Sequence, residues 1–358
     1  MPLPKPRKKW LFSSVVWALL FCSGATLGQH GLSEPSTGLL SSQGIAWNAR
    51  TRKAYAVEAK AGAVAVFDAQ KKSLRHITVG KGPVAIAINE ETNRVYVANN
   101  GDGTVAILDG GDDAVMAKIP VGALPYALVA DPGTNRVFVS NTFSDLITIM
   151  EGATNATSAV KAGSADAMVV DEKLGRMYLL GYENPDLIVL DRKGVVVGRV
   201  AVGMHPWGMA LDEDRGRIYV TRSGDSALAI VDEKSGIVAS VRVGAIPCAV
   251  AEDRHTGRVY VVNYGDDTVS VMEDGKELAA VKVMSRPQAV AVDAKRNRIY
   301  VVSSHGSSVS VIDGATSRVV KTLEAGEHPH ALAVDETSGR LYVALMDAPG
   351  LVAVDPNP

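Results

Sequence analysis

The sequence predicts an all-β fold, a β-propeller of four-stranded antiparallel blades, on three observations. An aromatic flanked by aliphatics, usually behind a basic residue, recurs at Tyr55, Tyr96, Phe138, Tyr178, Tyr219, Tyr260, Tyr300 and Tyr342, in steps of 40 to 42 residues. A period of this length built from short strands marks blades stacked around a central channel. The aliphatic residues repeat at two rather than at three and four, so no helical stripe competes. Each copy also holds short Val- and Ile-rich runs separated by Gly, Asn, Asp or Ser, as strands joined by tight turns require.

The strands of one blade are clearest in the seventh copy. PQAVAVD (Pro287 to Asp293) reads as the innermost strand, RIYVV (Arg298 to Val302) as the second, SVSVID (Ser308 to Asp313) as the third and VVKTLEAG (Val319 to Gly326) as the outer one. The second copy repeats this with PVAIAIN from Pro83, RVYVA from Arg94, TVAILD from Thr104 and KIPVG from Lys118. The eighth copy, Pro329 to Asp355, carries three such runs and no outer strand. An unpaired sheet edge exposes amide donors and acceptors. The segment Thr37 to Gln43, with Leu39 and Leu40, is therefore expected to close the ring from the N-terminal side.

Ahead of the repeats, Lys5, Arg7, Lys8 and Lys9 precede an apolar run from Trp10 to Cys22, followed by small residues. This reads as a signal peptide over residues 1–28, too short for a membrane span, with cleavage after Ala25 or Gly28. Residues 29–36 (QHGLSEPS) read as a mobile linker and 37–358 as one propeller domain, since a repeat array grows blade by blade without a single large core. The expected location is the periplasm or the exterior, with no transmembrane segment after signal removal. The one cysteine then left, Cys248, forms no internal disulfide. The net charge of −2 falls further once the four basic residues of the leader are gone, and the remaining Lys and Arg are scattered among turns. Nucleic acid is not the expected partner, because phosphate binding needs a clustered basic stripe.

The runs RVYVAN (Arg94 to Asn99), GTVAILD (Gly103 to Asp109), IPVG (Ile119 to Gly122) and LPYALVAD (Leu124 to Asp131) resemble those of the YVTN-repeat β-propellers. With the leader, the chain is similar to the periplasmic YncE-like proteins. The resemblance spans about residues 40 to 355 and implies the fold rather than an activity. That family includes surface-layer and exported proteins, and related propellers serve as scaffolds in amine dehydrogenases and in haem- or copper-containing reductases. Many relatives have seven copies; eight are counted here, so eight blades are expected over seven.

The copies serve as their own control. A residue present in nearly every blade does the same structural work in each. The Arg before the aromatic (Arg94, Arg136, Arg176, Arg217, Arg258, Arg298, Arg340) is expected to brace the turn after the first strand, and the Asp ending that strand, as at Asp212, Asp253, Asp293 and Asp335, to cap the turn itself. Residues peculiar to one blade are the candidates for function. They flank a recurrent Pro (Pro83, Pro125, Pro206, Pro247, Pro287, Pro329), replaced by Ser42 and Asp166 in the other two blades, and sit in the loop between the second and third strands. Both loops open on one face. The candidate ligand-binding residues are Tyr126, His205, Trp207, Arg222, Arg286, His305, His328 and His330.

Four of these are histidines, which offer neutral imidazoles to zinc or copper, though only His305, His328 and His330 come from adjacent blades. A Cys248–His205 nucleophile pair would join neighbouring blades, but Cys248 reads as a small packing residue beside Pro247. No phosphate loop, nucleophile elbow or haem attachment pair is present, so the sequence specifies no catalytic residue, metal or cofactor. The expected role is an exported, non-catalytic binding or scaffold protein that holds a small molecule or protein partner on this loop face. The alternative is a metal- or cofactor-dependent periplasmic oxidoreductase, or a subunit of one.

Overall fold

The computed structural model describes residues 44–356 apart from Ala348. Short β-branched runs pair with their sequence neighbours into eight antiparallel sheets, seven of four strands and the last of three among the described residues. The innermost strands are Ile45–Asn48, Pro83–Asn89, Pro125–Asp131, Ala167–Asp171, Pro206–Asp212, Pro247–Glu252, Pro287–Asp293 and Pro329–Asp335. They touch in succession around an axis, and the first meets the eighth. The ring therefore has eight blades. The expected closing segment, Thr37 to Gln43, lies outside the described residues, as do the leader and the linker.

The core is divided among the seams. The repeated aromatics, Tyr55 through Tyr342, are each at most 3% exposed. They sit in eight separate apolar clusters, each drawn from two neighbouring blades. A blade cannot bury its own faces, so its stability comes from its neighbours. At the seam between blades 8 and 1, Trp47 stacks on Tyr342 with ring centres 4.7 Å apart, Phe67 tilts against the same ring, and Lys60 pairs with Asp347 at 3.0 Å.

In blade 7 the recurrent basic residue does brace the turn of its own blade, Arg298 donating to the Asn297 carbonyl at 3.1 Å. In blades 1, 2, 3 and 6 it instead crosses the seam to the turn between the third and outer strands of the next blade. Lys53 Nζ donates to the Gly110 and Gly111 carbonyls (3.1 and 2.6 Å), Arg136 donates to that of Arg192 (2.8 Å), and Arg94 and Arg258 reach those of Gly152 and Gly314. The aspartates do cap their turns: Asp335 accepts the Thr337 N–H at 3.0 Å and Asp293 that of Arg296 at 3.1 Å.

Candidate functional site

The inner strands start at one mouth of the channel, and in the six blades with the proline the residue leading into it adopts a backbone that L-residues rarely choose. Immediately before the proline, φ is +57° at Gly82, +54° at Leu124, +50° at His205 and Ile246, +58° at Arg286 and +48° at His328. For residues other than glycine this costs about 1–2 kcal/mol each. A main-chain bond holds it in place. The carbonyl of that residue accepts an N–H from the loop between the second and third strands of its blade: Leu124 from Thr142 (2.8 Å), His205 from Ser223, Ile246 from Tyr264 and Arg286 from Ser304 (each 3.0 Å), and His328 from Met346 (3.1 Å). The two loop sets thus share one face, with a constant backbone and a side chain that changes from blade to blade.

A second device follows directly. In blades 2, 6, 7 and 8 the register slips just after the proline, so that Pro329 faces Leu345 and Ala331 faces Ala344, leaving His330 as the extra residue of a bulge. Bulges re-aim side chains. In three of the four the extra residue turns inward, Val84, Cys248 and His330 being buried, while Gln288 of blade 7 is half-buried.

The candidate residues are therefore differently placed. His205, Trp207, Arg286, His305 and His328 are at least partly exposed at the mouth. Tyr126 is buried in the seam between blades 3 and 4. Arg222 is a structural tie: its Nη1 donates to the Val202 carbonyl (3.0 Å), just as Asn99 and Asn141 donate to those of Val79 and Val121, and its other nitrogens bind Asp225 and Ser240. His330 donates from Nδ1 to the Ala344 carbonyl at 3.3 Å, and burial lowers its pKa to about 4, so it is neutral at pH 7. Its Nε2 is buried without a hydrogen-bond partner among the described residues.

The structure brings His205 and Trp207 together through a residue the sequence reading missed. Tyr182, from the loop of blade 4, stacks on the His205 ring at 4.9 Å and meets the Trp207 ring edge-on at 5.5 Å. The signal was present, because Tyr182 occupies the place of Tyr264, whose ring lies 4.8 Å beneath the Arg286 guanidinium. One blade's loop thus supports the strained residue of the next. Asp166, which replaces the proline in blade 4, accepts the Tyr182 N–H at 2.7 Å. Burial, reinforced by the Glu183 charge, raises its pKa above the usual carboxylate range. At the last seam, His328 Nδ1 lies 3.2 Å from Asp347, whose pKa is lowered by Lys60 and His328.

Among the described residues no group of three His, Cys, Asp or Glu side chains is gathered as a metal site. Cys248 points its sulfur across the seam at the Pro287 and Gln288 carbonyls, 3.7 and 3.8 Å away, rather than at His205. The mouth offers aromatic faces, cations and hydrogen-bonding groups, which suit recognition.

Comparison with known proteins agrees with this architecture. A dihydro-heme d1 dehydrogenase, NirN, in complex with DHE superposes with a TM-score of 0.74 at 15% identity, covering 91% of this chain and 74% of that one. The Kuenenia stuttgartiensis hydrazine synthase gives 0.62 at 13% identity, covering 92% and 99%. At these identities the likeness is one of fold. A search of curated proteins finds no match. The YNCE-like beta-propeller family matches residues 81–356, through seven of the eight blades, and the chain belongs to that family.

Proposed function

We propose that this is an exported, non-catalytic binding or scaffold protein whose working surface is the loop face at the channel mouth. One observation carries the reading: at the position before the proline the backbone is held by the same main-chain bond in each of those blades, while its side chain is Leu124, His205, Ile246, Arg286 or His328. Variation on a rigid frame is how loops come to carry recognition. The Tyr182–His205–Trp207 group is its aromatic anchor, and anchors of this kind supply a large share of binding energy. The site comprises these three with Arg286, His305 and His328.

The test is retention of ligands or partners from the protein's own cell extract by the immobilised chain. Trp207→Ala and His328→Ala are expected to reduce retention at least about tenfold, whereas Glu336→Ala, on the opposite face, leaves it unchanged. Equal losses from both faces, or unfolding of the Trp207→Ala blade, would exclude the proposal. Export has its own check: mass spectrometry of the exported protein should find a start within residues 26–29. An intact Met1 would refute it.

A second reading, a cofactor-dependent oxidoreductase or a subunit of one, is favoured by the buried, unpartnered Nε2 of His330, a neutral imidazole with a lone pair to give. The NirN neighbour was captured with a bound ligand. One imidazole suits a cofactor that brings its other ligands with it rather than a bare metal ion. Elemental analysis and an absorption spectrum of the purified protein decide between the two, since a stoichiometric metal promotes this reading.

A further inference from the structure

The face opposite the mouth is built from repeated turns, and one seam departs from the repeat. In the other blades whose outer strand is described, the turn between third and outer strands has three to five residues; in blade 6 it has two, Asp274 and Gly275, between Thr268–Glu273 and Lys276–Lys282. Their φ values, +50° and +74°, identify the tight hairpin turn that Asp-Gly favours. Longer turns lean inward, where Gly110, Gly152 and Gly314 donate to Asn93, Asn135 and Asn297 at 2.7–3.0 Å. No such bond forms in blade 6 among the described residues.

The short turn has two consequences. It leaves a cavity of about 150 Å³ between blades 5 and 6, bounded by Arg217, Tyr219, Leu228, Ile230, Gly257 and Met272. It also withdraws the carbonyl that Lys53, Arg94, Arg136 and Arg258 find across their seams. Arg217 is the matching residue of blade 5, and, like Arg176 at the preceding seam, it pairs with no backbone or carboxylate oxygen among the described residues. Of the other charges lining the cavity or held by its lining residues, all but Asp274 are matched. Arg215 holds Asp212 at 3.0 Å and Glu273 is held by Arg258 at 3.0 Å, while Asp274 is exposed at the turn.

We propose that this cavity is a binding site for a small carboxylate with a short apolar tail, the carboxylate oxygens taking the place of the missing turn carbonyl at Arg217. A guanidinium presents paired donors that suit a carboxylate, and Leu228, Ile230 and Met272 give the otherwise mainly polar lining a small apolar patch for the tail. A space of this size accepts a molecule of about six heavy atoms, as the benzene-binding cavity in the engineered lysozyme does.

Butyrate is the probe, with butylamine as its charge-reversed control, followed by thermal denaturation and calorimetric titration of the mature protein. Butyrate should bind saturably and raise the midpoint while butylamine does neither. Arg217→Met should weaken butyrate binding about 10- to 100-fold. Replacing Asp274-Gly275 with Gly-Ala-Thr-Ser, the turn of blade 7, should restore the carbonyl, fill the space and abolish binding; this graft decides the matter if Arg217→Met misfolds. Glu336→Ala, in the exposed turn of blade 8, should bind butyrate like the parent. The proposal is overturned if the parent shows no saturable butyrate binding, if butylamine binds equally, or if either the Arg217 variant or the graft binds butyrate undiminished.

Discussion

Asp113→Asn is expected to destabilise the ring by about 3 kcal/mol or more, read as a fall in the denaturant midpoint. The Asp113 side chain is fully buried and its carboxylate accepts Lys53 Nζ at 3.0 Å on both oxygens, the Tyr55 hydroxyl at 2.8 Å and the Arg75 guanidinium. Lys53, itself 4% exposed, stands where most other blades have arginine. Burial, reinforced by the nearby Asp113 charge, holds the Tyr55 hydroxyl far above the ordinary phenol range, so it serves as a donor at any working pH. Asparagine keeps the shape and tolerates the φ of +67° at this residue, which isolates the charge. It offers one acceptor oxygen where three donors converge and leaves the Lys53 ammonium without its counter-ion. Because breaking one half of a buried pair costs far more than exchanging both halves for apolar groups, Lys53→Met combined with Asp113→Asn should cost less than the sum of the single changes. A midpoint unchanged by Asp113→Asn would show that the network contributes nothing to the seam.

The second large effect is a stability that falls as pH rises. Glu252 stands in the penultimate position before the inner-strand turn, where the other blades have Trp47, Ile88, Ala130, Val170, Leu211, Val292 and Val334. All seven pack into seam clusters. The Glu252 side chain is 3% exposed, with Arg215 at 3.5 Å. Burial first, then the Asp212 charge, push its pKa up to about 7, against the opposing pull of Arg254 and Arg215, with Asp253 adding to the rise. The folded state therefore holds this proton more tightly than the unfolded chain. Its favourable contribution is complete below the ordinary glutamate value of 4.5 and is lost as pH climbs through about 7, a change of about 3 kcal/mol. Glu252→Leu should stabilise the protein by about that amount at pH 8 and by little at pH 5. Parallel stability profiles for parent and variant across this range would refute the assignment.

What the sequence revealed and what it concealed divide along one physical line. The strands, the eight blades and the shared loop face were legible because period-two alternation and turn residues are local properties, repeated often enough to average out exceptions. His330 and Tyr126 were harder to place. A bulge adds one residue and reverses which way the next side chain points, and nothing in PHALAVD announces one. Comparison between copies gave no clear clue either, because Val84, Ala167 and Cys248 share that position with Gln288 and Trp207. Arg222 looked singular by residue type while doing the work of the asparagines in its column. Tyr182 escaped notice because its partners, His205 and Trp207, come from the following blade, and contacts across a seam leave no trace in the spacing within one copy.

The residues before the prolines have a bearing on how this surface can change over time. Each is fixed through its carbonyl oxygen, which every amino acid possesses, and each carries the same local strain whether the side chain is leucine, isoleucine, arginine or histidine. Side-chain identity and backbone geometry are thus uncoupled at the rim, which behaves as a set of interchangeable sockets. Exchanging His205 with Arg286 should rearrange the chemical pattern presented around the channel while leaving the architecture intact, so that pattern can change by permutation, one socket at a time, without passing through an unfolded ancestor.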